Sequence, residues 1–414
     1  MTSPVTSPVS LSARDARAAE LRRLLAWGQV SGAGDTAGFG YLDEDGTVTP
    51  SEGLQLWITT RMTHIYGLAS LLGHPGAHAL ATHGVEALHS VFHDDTHDGW
   101  YAQLTSSGEP VGTRKEMYGH AFVVLAGATA TAAGLDRAEA LLGRSLDVVE
   151  RRFWDDEAGA CRESWSHDWQ EPEPYGGVNC NMHAVEAFLA AGAVTGDSAW
   201  TDRALRIASR FIHGVAREHR WRLPEHFSQT WDVLPEYNAD QPRHRFRPYG
   251  VTIGHLLEWS RLLLHLEKAV DPAPPWLLAD AIALFDTAVA IGWAADGRPG
   301  FVYTVDWADR PVVAERMHWV AAEGAMTAEA LTRRTGQERF AKWAERLWTD
   351  TARFVDSEAG GWWHELDPHG TVSRTVWSGK PDLYHAVQAM LLPDLPFTPS
   401  LVTSVLAAAP QRSG

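Results

Sequence analysis

His255 and Glu258 stand three residues apart in the stretch 251–268, VTIGHLLEWSRLLLHLEK, just after a glycine and at the start of an apolar run. On a helix, positions i and i+3 share a face. An imidazole and a carboxylate therefore sit together near a helix N-terminus. Leu256, Leu257, Leu262, Leu263, Leu264 and Leu266 make the rest of that helix apolar enough to bury. An imidazole titrates near neutrality, and a rigid helix holding it beside a carboxylate suits proton transfer. A lone HxxE pair is more often a satisfied structural hydrogen bond. This one gains weight because polar residues recur at equivalent places along the chain.

Six such sets are present, each at or just before the start of an apolar segment. They are Trp57, Arg61 and His64 in WITTRMTH; Lys115, Tyr118 and His120 in RKEMYGHAF; Asn179, Asn181 and His183 in NCNMH; and His255 with Glu258. The last two are Arg316, His318, Trp319 and Glu323 in RMHWVAAEG, and Lys380, Asp382, Tyr384, His385 and Gln388 in WSGKPDLYHAVQ. Burying so many ionisable groups without a use is costly, so the set as a whole reads as the lining of one funnel. Individual members have plainer readings. His64 and His120 could be structural, and Trp57, Trp319 and Trp377 could be cavity walls or core.

The elements that position these residues come from a repeat. Acidic or polar turn residues with glycine, followed by aromatics, occur at 35–46 (DTAGFGYLDEDG), 93–104 (HDDTHDGWYAQL) and 154–165 (WDDEAGACRESW). A weaker copy lies at 219–231 (HRWRLPEHFSQTW), and two more at 295–307 and 356–370. The spacing is about 60 to 75 residues, a repeat architecture. Between copies the chain reads as helix pairs. The amphipathic, outward-facing members are 12–27, 76–92, 137–153, 198–216, 276–293 and 338–355. The more apolar, inner members are 54–72, 116–132, 181–195, 254–268, 318–335 and 382–392. Six of each close naturally into an all-α double ring, an (α/α)6 barrel, as one catalytic domain over 13–395. Residues 1–12 read as a disordered arm and 396–414 as a C-terminal segment. The short hairpins are expected to cap one end, leaving the loops at the other to build a site. An open solenoid is the rival arrangement.

The 414 residues carry 35 Lys plus Arg against 52 Asp plus Glu, a net charge of -17. That argues against nucleic acid or an anionic membrane as partner. Cys161 and Cys180 form no disulfide framework or zinc pattern and fit a reducing cytoplasm. No signal peptide or membrane-spanning run is expected. Nineteen tryptophans supply either packing or platforms for the C–H faces of a sugar.

Two other chemistries fit parts of the set. His183, His255, His318 and His385 could form a metal cluster, but carboxylates are few, and Arg61, Arg316 and Lys380 would repel a divalent ion. Glu258 and Glu323 could be the acids of a glycoside hydrolase, which has no need of four histidines.

WITTRMTHIYGL, NCNMHAVEA, GHLLEWSRLL, RMHWVAAEG and GKPDLYHAVQA together resemble the N-acylglucosamine 2-epimerase superfamily. Within it they are most similar to the aldose–ketose isomerases acting on mannose or sulfoquinovose. The resemblance runs from about Trp57 to Leu392 and implies an (α/α)6 barrel. It also implies that His255 and His385 are the acid/base pair, and that Glu258 orients the first of them and contacts sugar hydroxyls. Arg61 then binds substrate oxygens and stabilises negative charge. His183 with Asn179 binds substrate, and Glu323 and Trp319 supply a sugar-contacting acid and an aromatic wall. Trp57, Tyr118, His318 and Gln388 complete the expected substrate-binding set.

The reaction implied is cofactor-free and metal-free interconversion of D-mannose and D-fructose, with D-lyxose and D-xylulose as further substrates, through an enediolate. His385 takes the proton beside the carbonyl, and His255 shuttles protons on the sugar oxygens. Sulfoquinovose isomerisation and 2-epimerisation are the alternatives within the family. A carbohydrate-binding protein without catalysis is the alternative outside it. Arg243, Arg245 and Arg247 lie just before the key helix. Arg245 is the candidate contact for an anionic group at C6. The expected partner is a monosaccharide only, for a cytoplasmic monomer or weak homodimer.

Overall fold

A computed structural model describes residues 10–32, 37–112 and 114–409. Thirteen α-helices occur among them. Helix α1 (Arg14–Gly28) is followed by α2 (Leu56–Leu71), α3 (Ala77–Ser90), α4 (Met117–Ala132), α5 (Ala138–Val148) and α6 (Val178–Thr195). Then come α7 (Ser198–Ala208), α8 (Ile253–Ala269), α9 (Trp276–Gly292), α10 (His318–Thr335), α11 (Glu338–Thr351), α12 (Tyr384–Leu391) and α13 (Leu401–Ala408). Up to α12, the even-numbered helices are apolar on nearly every side, and the odd-numbered ones bury a single stripe. Composition therefore sorts them into an inner and an outer ring. Inner helices pack in the order α2, α4, α6, α8, α10 and α12, and α12 returns to α2. Each outer helix from α3 to α11 packs on the inner helix before it, and α1 closes the outer ring against α12. The barrel is closed, not a solenoid. None of its helices is long and apolar enough to cross a membrane.

Short antiparallel seams stitch one end of the ring. The strand ahead of each inner helix pairs with a strand that follows the next outer helix. The pairs are Leu54–Gln55 with Gln103–Leu104, Lys115–Glu116 with Ser164–Trp165, and Tyr175–Gly177 with His226–Ser228. Val251–Thr252 with Thr304–Val305 and Arg316–Met317 with Glu365–Leu366 continue the series. At the sixth seam the Lys380 N–H donates to Leu42 O at 2.9 Å. The backbones approach closely here. A Cβ on Gly250 would lie 2.3 Å from Val305 O, and one on Gly379 2.6 Å from Leu42 O. Both glycines also have positive φ, so a side chain is excluded twice.

The recurring acidic turns explain the repeat. Asp94 Oδ1 accepts from the N–H groups of Thr96 and His97, and its Oδ2 pairs with Lys115 Nζ at 2.8 Å. Asp356 does the same with Glu358, Ala359 and Lys380. Asp296 pairs with Arg316. One carboxylate thus closes a turn and pins the entry of the next inner helix.

Two expectations need correction. The hairpins lie at the end where the inner helices begin, because their strands lead straight into α2, α4, α6, α8 and α10. They surround the candidate site instead of capping the opposite end. Residues 396–414 contain α13, whose Leu401, Val402 and Val405 join the common core and pack toward α2, α4 and α6. The expected N-terminal arm lies outside the described residues up to residue 9, and Leu11 beyond it is buried.

Candidate active site

The inner-helix starts converge on one cavity. Its lining includes Trp57, Arg61, Tyr118, Asn179, His183, Arg245, His255, Glu258, His318, Trp319 and His385, all named from sequence. It also includes Phe246, Pro248, Tyr303, His364, Trp377 and Asp382. Trp57, Phe246 and Trp377 meet edge to face with ring centres 5.4–6.0 Å apart, forming an aromatic wall.

Two histidines are held alike. His255 Nδ1 lies 2.8 Å from Glu225 Oε1, and His385 Nδ1 lies 3.0 Å from Glu323 Oε1. A carboxylate only accepts, so each ring carries its proton on Nδ1 and presents the Nε2 lone pair. Both rings pack against Trp319, with centres 5.4 and 5.5 Å from it. Gly254 makes room for that indole, since a Cβ there would come within 2.2 Å of the ring. Burial, then the Arg61 cation and His318, hold His385 well below 6.5, so it is a free base at neutral pH. Burial likewise pushes His183 and His318 down to about 4.

Arg61 is the cation of the cavity. It donates to Tyr118 Oη at 2.7 Å and to Asp382 Oδ2 at 3.2 Å, while its buried Nε has no partner. The rings of Phe122 and Tyr384 lie 4.6 and 4.7 Å from the guanidinium carbon. Asn179 offers a buried Oδ1 without a partner. His183 Nδ1 lies 3.5 Å from Glu186 Oε2 and 4.0 Å from Glu258 Oε1, without hydrogen-bond geometry to either.

Below the cavity lies a second layer of charge. Glu323 is completely buried and takes two bonds from Arg261, 2.8 Å from Nε and 3.0 Å from Nη2. Glu186 accepts from Tyr384 Oη and, at 3.3 Å, from Gln388 Nε2. Against the cost of burial, His183 and Arg261 hold Glu186 below its ordinary range.

Three expected roles change. Glu225, not Glu258, orients His255. Glu323 and Gln388 do not reach the cavity; they sit one helical turn deeper and act on His385 and Glu186. Arg316 and Lys380 are engaged with Asp296 and Asp356 outside the lining, and Lys115 and His120 likewise face the hairpins. Glu225 carried one sequence signal: it lies in the fourth hairpin copy, the one that departs from the acidic-turn pattern. Arg261, one turn beyond Glu258 on α8, carried none.

Among the described residues, two groups of three donors are close enough to share an ion, His183 with Glu186 and Glu258, and Glu258 with Glu323 and His385. Glu258 belongs to both. Arg261 lies 3.8 Å from it and already occupies Glu323. Glu323 is engaged with that guanidinium and with His385, and Glu186 with Tyr384 and Gln388, an arrangement suited to holding an imidazole. Of the three arginines before α8, Arg247 pairs with Glu173 at 2.7 Å and Arg243 with Glu315 at 3.4 Å. Arg245 reaches the cavity, its Nε donating to Val376 O and its guanidinium over Trp377.

The profile of the N-acylglucosamine 2-epimerase (GlcNAc 2-epimerase) family matches residues 37–389. D-mannose isomerase of Thermobifida fusca is 52% identical over 385 residues, covering 92% of this chain and 94% of the relative. D-mannose isomerase of Pseudomonas cannabina pv. alisalensis is 47% identical, covering 89% and 90%. A crystal structure of a D-mannose isomerase superposes with a TM-score of 0.85 at 27% identity, over 94% of this chain and 98% of that one.

Proposed function

This chain belongs to the N-acylglucosamine 2-epimerase family, and from that premise we propose that it is an aldose–ketose isomerase interconverting D-mannose and D-fructose. One observation carries the reading. Two imidazoles, each with Nδ1 tied to a carboxylate, open Nε2 toward the same cavity around Trp319. That is a pair of proton carriers held for use at neighbouring atoms. The likeness to D-mannose isomerases selects the sugar.

In the proposed course, His255 Nε2 takes the proton of the anomeric hydroxyl, the C1–O5 bond breaks as the C1 carbonyl forms, and the same proton passes to O5, which gives the open aldehyde and returns His255 to its neutral form. His385 Nε2 then removes the proton from C2 of the aldehyde. The charge moves onto O1 as an enediolate, which the Arg61 cation stabilises. His255 moves the proton between O2 and O1, and His385 returns its proton to C1, giving the ketose. Return to the other face of C2 would give glucose. The proposal needs no cofactor or metal. D-lyxose, which lacks C6, fits the same chemistry and yields D-xylulose. The enzyme is proposed to work in the cytoplasm as a monomer or weak homodimer. Its buried thiols Cys161 and Cys180 support the first, and the scarcity of exposed large apolar residues among those described supports the second.

The test is D-mannose with the purified protein in EDTA, in deuterated water, followed by NMR. Fructose forming ahead of glucose is expected. Glucose ahead of fructose would make the chain a 2-epimerase, and no turnover would overturn the reading. Arg245 favours a second reading, an anionic sugar such as sulfoquinovose, because its guanidinium lines the cavity and its Nη groups have no hydrogen-bond partner among the described residues. Arg245→Ala should leave mannose turnover within about threefold, as loss of a partly exposed cation does. Loss of an anionic sugar's turnover alone would support the second reading.

A further inference from the structure

Glu186, Glu258 and Glu323 lie close together at and beneath the cavity floor, and Arg261 stands among them. The guanidinium is not shared evenly. It makes two bonds to Glu323, whereas Glu258 Oε1 is 3.8 Å from Nη2 and has no hydrogen-bond partner. Glu258 is 1% exposed yet lines the cavity. The charged or titratable groups around it come from several packed elements: Arg61 on α2, Tyr118 on α4, His183 and Glu186 on α6, His255 and Arg261 on α8, Glu323 on α10, and Tyr384 and His385 on α12. Two anions this close, with one cation committed to the first, do not both persist in a buried site.

We propose that Arg261 is a positioning residue that divides charge between the two acids, holding Glu323 as the carboxylate behind His385 and leaving Glu258 protonated, its O–H directed to the enediolate oxygen. This rests on the isomerase reading for the role of Glu258, but not for its protonation. A carboxylate facing an enediolate would repel it, whereas a neutral acid donates a hydrogen bond and keeps its proton throughout. Burial first, and the Glu323 charge second, raise Glu258 well above the ordinary carboxyl range. Burial leaves Glu323 above its ordinary range as well, but the two Arg261 bonds pull the other way and Glu258 has no such bond.

The experiment is an infrared difference spectrum at neutral pH, on the full-length protein without sugar. A protonated-carboxyl C=O band present in wild type should vanish in Glu258→Gln and persist in Glu323→Gln. In Arg261→Gln a second such band should appear as Glu323 loses its partner, and Arg261→Lys should suppress it. No band lost with Glu258→Gln would overturn the proposal, as would the same band vanishing in Glu323→Gln instead. Kinetics supply a second reading. Glu258→Ala removes the donor and should lower kcat about 10²–10³-fold, whereas Glu258→Gln keeps an N–H and should lose about tenfold. An equal loss in both variants would also overturn it. Since the spectrum is taken without substrate, failure of mannose turnover leaves this result standing and sinks only the isomerase reading.

Discussion

At one end of the barrel His255, His318 and His385 face a cavity that a sugar can enter; at the other, His64 and His265 face a smaller one closed by residues 399–402. All five rings are buried. His64 and His265 resemble the upper pair in one respect. His64 Nδ1 meets Thr129 Oγ1 at 2.6 Å, and that hydroxyl already donates to Leu125 O. His265 Nδ1 donates to Thr398 O at 2.7 Å. Both therefore present a bare Nε2, and neither Nε2 has a partner. What stands behind the ring differs. The upper pair leans on carboxylates, the lower pair on a hydroxyl and a carbonyl. A carboxylate stabilises the imidazolium that forms when the ring takes a proton, and a neutral oxygen does so far less. Proton chemistry needs access and a charged backing together.

The comparison can be broken most directly at His385. His385→Ala should lower kcat by about 10²–10⁴-fold, as loss of a general base does, with the melting temperature close to wild type. An active variant would place the base elsewhere. Glu225→Gln keeps His255 in place but removes its charged backing. It should cost about 10- to 100-fold in kcat/KM, part of the range for general acid–base catalysis.

Stability should treat the two ends alike. Burial holds His64, His183, His265 and His318 near 4, where the unfolded chain has about 6.5. Each is neutral when folded, so its contribution is complete above pH 6.5 and is lost as the pH falls toward 4. The slope is up to about 1.4 kcal/mol per pH unit for each ring. Urea titrations between pH 7 and 5 measure it, and a flat profile would mean that these rings take protons while folded. The smallest catalytic effect belongs to the lower cavity. His265→Leu should change kcat by no more than about twofold while shifting the melting temperature by a few degrees, as a modest core change does. A large loss of kcat there would dissolve the distinction between the ends.

The helices and their pairing were legible because each inner helix is apolar all round and each outer one is striped, a property of local sequence. The hairpins were legible because an aspartate that closes a turn and pins a cation must recur at fixed spacing. Depth was not legible. Glu323 follows Trp319 by four residues and Gln388 follows His385 by three, so each shares a helix face with a lining residue. One turn is about 5.4 Å, enough to put both below the floor. Nor can spacing within a helix show a partner from another repeat. Glu225 reaches His255 from 30 residues away, and Arg261 reaches Glu323 across 62.

The seam between Leu42 and Lys380 joins the first hairpin to the last inner helix. In an open stack of repeats the terminal units peel away first, and melting spreads inward from them. A ring has no terminal unit: opening any seam exposes two raw edges at once and leaves the helices on both sides of it with one neighbour fewer. Denaturation of this chain is therefore expected as a single all-or-none transition despite its length, with the last residues of the barrel as slow to exchange their amide protons as the middle ones.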